Sequence, residues 1–177
     1  MEPEDILVEN LRTALDRIQG YMVWGIGSAL FLVLLVEATP RLVETGERVE
    51  LPGGFLGTNP QLAGAVVLTV YWVSGFMASY TLSRAERIVE KLRSSPKILD
   101  AALTYPSIAT TRIHAPRIGA ALLPAVLFFI AYVIEGGGWP ESFYSLLGLF
   151  FLVVPYVTLA FQLRLSIGGY KPGKVGD

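Results

Sequence analysis

Few residues in this sequence could do chemistry, and their types narrow what that chemistry would be. Glu37, in "FLVLLVEATP", and Glu135, in "VIEGGG", each close a long apolar run. Ionisable groups at such positions are costly to keep in a membrane and read as functional. A ring of carboxylates in an assembly of several copies would draw small cations to an outer mouth. Below Glu37, the residues Val33, Leu30, Ile26 and Met22 recur at helical spacing and would make an apolar constriction. Tyr71 and Ser74 in a second apolar run, and Tyr156 and Gln162 in a fourth, add polar groups to a pathway through or between helices. Thr69, Trp72, Ser79, Tyr80, Tyr132 and Thr158 lie in the same runs. Pro124 and Pro155 fall inside apolar runs, where each deletes a backbone hydrogen bond and kinks a helix, which makes both candidate hinges. The plainer reading of these residues is a water-facing carboxylate, a lipid-facing stripe and a packing kink.

Other chemistry is excluded by what is missing. There is no cysteine, so disulfides, thiolate metal sites, iron–sulfur clusters and a cysteine nucleophile are ruled out. The single histidine, His114, cannot by itself build a multi-histidine metal site. No HExxH, no GxSxG and no glycine-rich phosphate loop occurs. Catalytic residues, cofactors and metal ligands are therefore not expected, and the chain reads as something other than an enzyme. A net charge of −1 gives no electrostatic footprint for nucleic acid.

The elements that must carry these residues are helices in a bilayer. The chain is 53% hydrophobic and only 16% charged, against about 25% charge in ordinary soluble domains. Its mean hydropathy is +0.52. Four stretches approach the roughly 20 residues a membrane crossing needs: 21–38, 62–82, 118–134 and 143–165. Backbone groups in lipid must be satisfied internally, so these should be helices of one all-α, four-span membrane domain covering 1–177. The acidic opening, with its first long apolar run only from Tyr21, does not read as a cleaved signal peptide.

Lysine and arginine set the orientation. Seven lie between spans two and three (Arg84, Arg87, Lys91, Arg93, Lys97, Arg112 and Arg117) and none in "GGGWPES" between spans three and four. Both termini and the basic segment should share the cytoplasmic side of the cell membrane. Segment 1–20 carries Leu7, Leu11, Ala14, Leu15 and Ile18 at helical steps and reads as an amphipathic helix, either running into span one or hinged at Gly20. Segment 83–117 should be a basic, helical cytoplasmic loop. There Ala85, Ile88, Val89 and Leu92 continue the stripe of span two, Ser95 and Pro96 start a new short helix, and Ile98, Leu99, Ala102 and Leu103 form a stripe that could dock a partner. Outer segment 39–61 places Thr45-Gly46 between two short alternating runs, a β-hairpin pattern. Segment 135–142 is a second short outer loop, and 166–177 a cytoplasmic tail. Ser74/Ala78 and Gly75/Ser79 are small-xxx-small pairs suited to close helix packing, and Gly119, Ala120 and Ala121 open span three. Scarce lysine, absent cysteine and few amides carry a weak thermophile signature.

In topology the chain is similar to the Orai family of calcium-release-activated channels, with four spans, both termini inside, a glutamate (Glu37) closing span one and a proline (Pro155) in span four. The likeness rests on topology and those two residues. The basic positions before span one are Arg12 and Arg17, interspersed with acids. It implies an oligomeric cation path with Glu37 at its mouth. The expected function is accordingly a homo-oligomeric channel or carrier for small cations. The alternative is a non-conducting scaffold or accessory subunit that holds a cytoplasmic protein through its helical extensions.

Overall fold

A computed structural model describes residues 3–50, 57–104, 106–107, 110, 114–136 and 143–165. The chain is helical, and two of its helices are long and apolar enough to cross a membrane. Helix α1 (Pro3–Thr45) has 43 residues, about 64 Å at 1.5 Å per residue. Glu4 and Asp5 in its first turn face the positive end of the helix dipole. It runs unbroken through Gly20, so the amphipathic segment and the first apolar stretch are one rod with no hinge. Helix α2 (Pro60–Leu92) has 33 residues. Asn59 caps it, accepting at Oδ1 from the Leu62 N–H at 2.7 Å, with Pro60 in the first turn.

Three shorter helices follow. Helix α3 (Pro96–Leu103) begins after the turn at Arg93–Ser95. Helices α4 (His114–Gly136) and α5 (Phe143–Leu165) have 23 residues each, with apolar stretches Ile118–Val133 and Leu152–Leu163. Pro116 sits in the first turn of α4, where a missing N–H costs nothing.

The structure corrects the expected outer segment. Residues 39–45 are helix, not loop, and the first run of the expected hairpin lies inside α1. Pro40 deletes only its own donor, and the Thr39 hydroxyl donates back to the Leu35 carbonyl at 2.6 Å. The Thr45 hydroxyl does the same to Arg41 at 3.0 Å, and Gly46 then ends the helix in the left-handed region, at φ 68. Among the described residues strand pairing is confined to β1 (Val49–Glu50) and β2 (Gly57–Thr58), antiparallel, with Val49 opposite Thr58. The expected loop 135–142 lies outside the described residues beyond Gly136, and so does the tail 166–177.

Helices α1, α2, α4 and α5 pack as a ring: α1 touches α2 and α4, and α5 touches α2 and α4. One core runs the length of the α1–α2 pair. At its lower end Leu11, Leu15 and Ile18 of α1, Leu82, Ala85 and Leu92 of α2, and Leu99 and Ala102 of α3 are buried together. Full burial of each leucine or isoleucine contributes about 1.5–3 kcal/mol, enough to hold this base against the entropy of ordering it. The Ser95 hydroxyl donates to a Glu4 carboxylate oxygen, tying the start of α1 to the α2–α3 joint. Ser95 therefore occupies the N-cap position of α3 without its hydroxyl capping the helix. The stripe on α3 that the sequence offered for docking is used internally: Leu99 and Ala102 are fully buried, and Ile98 and Leu103 half-buried.

Candidate functional site at the bundle centre

The residues that come together are Tyr71, Ser74 and Tyr156, at a seam between α2 and α5 that Gln162 extends towards the base. Tyr156 is fully buried. Its ring lies between two glycines. A Cβ added at Gly25 of α1 would sit 2.1 Å from the Tyr156 Oη, and one added at Gly75 of α2 would sit 3.0 Å from the ring and 2.7 Å from Pro155 Cβ. No side chain larger than hydrogen fits either notch without displacing the ring or the proline. The diagonal of the helix ring is thus bridged by an aromatic side chain resting on bare backbone.

The Tyr156 hydroxyl donates to the Tyr71 carbonyl at 2.8 Å and lies 2.7 Å from Ser74 Oγ. Ser74 Oγ is also 2.8 Å from that same carbonyl. Two hydroxyl protons serve three short contacts, so Tyr156 and Ser74 share the work of satisfying each other and one carbonyl. Tyr71 completes the centre. Its ring lies 4.8 Å from that of Tyr156 and stacks on Phe128 of α4 at 5.2 Å. Ring pairs at these separations add about 0.5–1.5 kcal/mol beyond area burial. The Tyr71 hydroxyl, though buried, has no hydrogen-bond partner among the described residues.

The seam continues towards the base. The Ser79 hydroxyl donates to the Pro155 carbonyl at 3.4 Å, and Gln162 Nε2 donates to Ser83 Oγ at 3.4 Å. Ser83 in turn donates to the Ser79 carbonyl at 3.1 Å. Pro155 is buried in this seam, packed against Gly75, and Pro124 is buried in α4. Both helices run through their prolines as single elements. Three other polar residues of these runs face away from the seam, while Trp72 and Tyr132 are half-buried against the core. Thr69 is exposed and bonds its own helix at the Ala65 carbonyl, Thr158 is exposed, and Tyr80 is exposed with the Arg84 guanidinium 5.9 Å from its ring centre.

The stripe on α1 divides. Met22 is fully buried in the core, Ile26 and Val33 are half-buried, and Leu30 and Glu37 are exposed on the side away from the bundle. Glu37 therefore does not point into the helix ring. Glu135 lies in the last turn of α4, and its side chain is outside the described residues.

Gly25 is the centre's least obvious member. The signal for it is Gly25/Ala29, a small-xxx-small pair with the spacing of Ser74/Ala78, and all four of these residues are buried. Among the described residues no cluster of acids or histidine could hold a metal ion. The centre is a packed contact of hydroxyls, rings and glycine backbone that joins α1, α2, α4 and α5. Comparison with known protein families, with curated proteins and with solved structures finds no match for this chain.

Proposed function

We propose that the chain is an integral membrane protein of four spans that does not conduct, and that it serves as a scaffold or accessory subunit for a partner on its cytoplasmic side. One observation carries the membrane part of this reading: the exposed surface changes character along α1 and α2 while the interior does not. Below about Tyr21 the exposed residues of α1 are polar apart from Ile6 and Gly20 and include Glu9, Arg12, Asp16 and Arg17, and beyond Leu82 those of α2 are Arg84, Arg87, Glu90 and Lys91. Above those levels they include Val23, Trp24, Leu30 and Leu34 on α1, until charge returns at Glu37, Arg41 and Glu44, and Val66, Val70, Val73 and Phe76 on α2. Exposed apolar faces of this extent need an apolar medium. Helices α4 and α5 share the pattern, with Val126 and Ile130, and Phe150 and Phe161, exposed. At 23 residues each, about 34 Å, they match a ~30 Å hydrocarbon core. The excess of basic residues on the base favours the cytoplasm for that end. With the apolar stripe of α3 spent on the core, a partner would meet the charged outer faces of the base, where Arg87, Lys91, Arg93 and Lys97 fit an acidic surface.

The second reading, an oligomeric channel or carrier for small cations, is favoured by the exposure of Leu30, Leu34 and Glu37 on one face of α1. A ring of copies with α1 at its axis would stack an acid mouth on an apolar constriction. Cation flux into vesicles holding the purified chain separates the two. The scaffold reading predicts no flux above protein-free vesicles. Flux that falls in Glu37→Gln and Glu135→Gln would establish the channel instead.

A further inference from the structure

We propose that the exposed stripe of α2 at the boundary between water and lipid binds an anionic phospholipid, its phosphate held by Arg84 and Arg87 and an acyl chain lying along Val73 and Met77. The inference rests on the membrane part of the reading above. Val70, Val73, Met77, Tyr80, Arg84 and Arg87 follow one another on α2 at three- and four-residue steps, so they share one face. All six are exposed. The face turns from apolar to cationic at Tyr80, an apolar ring with a polar tip, the kind of side chain that sits at headgroup level. Arg84 lies about 6 Å and Arg87 about 10 Å further along the axis, and their long side chains can reach back to the headgroups.

The charge pattern calls for an anion. Arg84 has no acid three or four residues away on the helix, where its neighbours are Tyr80, Thr81, Arg87 and Ile88. Its guanidinium instead lies 5.9 Å from the Tyr80 ring centre, which leaves the planar fork free to pair with a phosphate. Arg84 and Arg87 stand three residues apart, and Arg87 and Lys91 four, so like charges face one another along the stripe and repel. No carboxylate of α2 stands on the stripe itself: Glu86 is half-buried on another face, and Glu90 lies to one side, three residues from both Arg87 and Arg93. An acidic protein would complement Arg87 and Lys91 but could not follow the stripe past Tyr80 into hydrocarbon. A second copy in the same membrane would bring its own arginines to this level. An amphiphile with an anionic head fits both parts of the stripe.

The test is native mass spectrometry of the full chain, purified in mild detergent with phosphatidylglycerol or phosphatidylcholine added. Phosphatidylglycerol should be retained in about tenfold preference over phosphatidylcholine. Arg84→Gln and Arg87→Gln should each lower that preference about fivefold, and the double variant should abolish it with helix content unchanged. Arg41→Gln, exposed near the other end of α1, should leave it as it was. Excess inorganic phosphate should not displace the lipid, because it makes no contact with Val73 or Met77. Equal retention of the two lipids, a preference that survives the double variant or falls equally in Arg41→Gln, or displacement by inorganic phosphate would each overturn the proposal, the last by assigning the arginines to a free anion. Pelleting with carbonate-washed membranes tests the underlying reading separately. A chain that pellets yet shows no preference overturns the lipid site alone, whereas a chain that stays in solution overturns both.

Discussion

The lower and upper halves of the α1–α2 pair bury the same kind of residue and expose opposite kinds. In the base, Leu11, Leu15, Ile18, Leu82 and Leu92 are sealed from solvent, and the opposite face carries Glu9, Arg12, Asp16, Arg84 and Arg87. In the upper half Met22, Ala29, Val67 and Tyr71 are sealed just as well, and the opposite face carries Trp24, Leu34, Val66 and Val73. Burial alone therefore does not tell which medium surrounds a helix, whereas the exposed face does. The packing devices differ accordingly. Where water surrounds the helices, the hydrophobic effect drives large apolar side chains together. Where lipid would surround them that drive is absent, and close approach at small residues with interhelical hydrogen bonds takes its place, as at Gly25, Gly75, Ser74 and Tyr156.

The largest expected effect comes from placing one charge on each side of the boundary. Val73→Arg, on a half-exposed residue midway along the apolar part of α2, should oppose membrane insertion by about 3 kcal/mol. Gln19→Arg, exposed beside the base, should stay within about 0.5 kcal/mol. Membrane-integrated fraction in a translocation assay reads both, and equal outcomes would erase the contrast between the halves.

Next in size is the glycine slot. Gly25→Ala should cost about 1–3 kcal/mol through displacement of Tyr156, while Gly27→Ala, two residues away with nothing within 4 Å of the added carbon, should be neutral or slightly stabilising. Unfolding in a graded detergent series measures the difference. The smallest effect separates the two tyrosines. Tyr156→Phe removes a hydroxyl that serves two partners and should cost about 1 kcal/mol, whereas Tyr71→Phe removes one without a partner among the described residues and should cost nothing or stabilise. The same unfolding series should order them so.

What was legible in the sequence follows the same division. In the base, polar residues punctuate the apolar stripe, so Leu11, Leu15, Ile18, Ala85 and Leu92 could be assigned inward from spacing, and "RSSP" marked the joint between α2 and α3. In the upper half nearly every residue is apolar, and hydropathy cannot separate Met22, which is buried, from Leu30, which is exposed. Small residues carry the inward signal there, and Ser74 and Gly75 were read by it while Gly25 was not. Tyr71, Ser74, Tyr156 and Gln162 were picked out as polar residues in apolar runs, and they do meet their neighbours across α2 and α5. Spacing could not say that they fill the space between helices instead of lining it, because that depends on the two glycine notches. The continuation of α1 past Pro40 escaped for a further reason: a proline reads as a stop, yet α1 carries Pro40 inside it and ends only at Thr45, before the left-handed Gly46.

The boundary between water and lipid along α1 and α2 can be located directly. With no native cysteine, single cysteines at Asp16, Leu34, Val73 and Arg87 can be probed in intact membranes with a water-soluble maleimide. Labelling is expected at 16 and 87 from one side of the membrane and none at 34 and 73, although Leu34 is 63% and Val73 50% exposed. Labelling at all four positions would contradict this boundary.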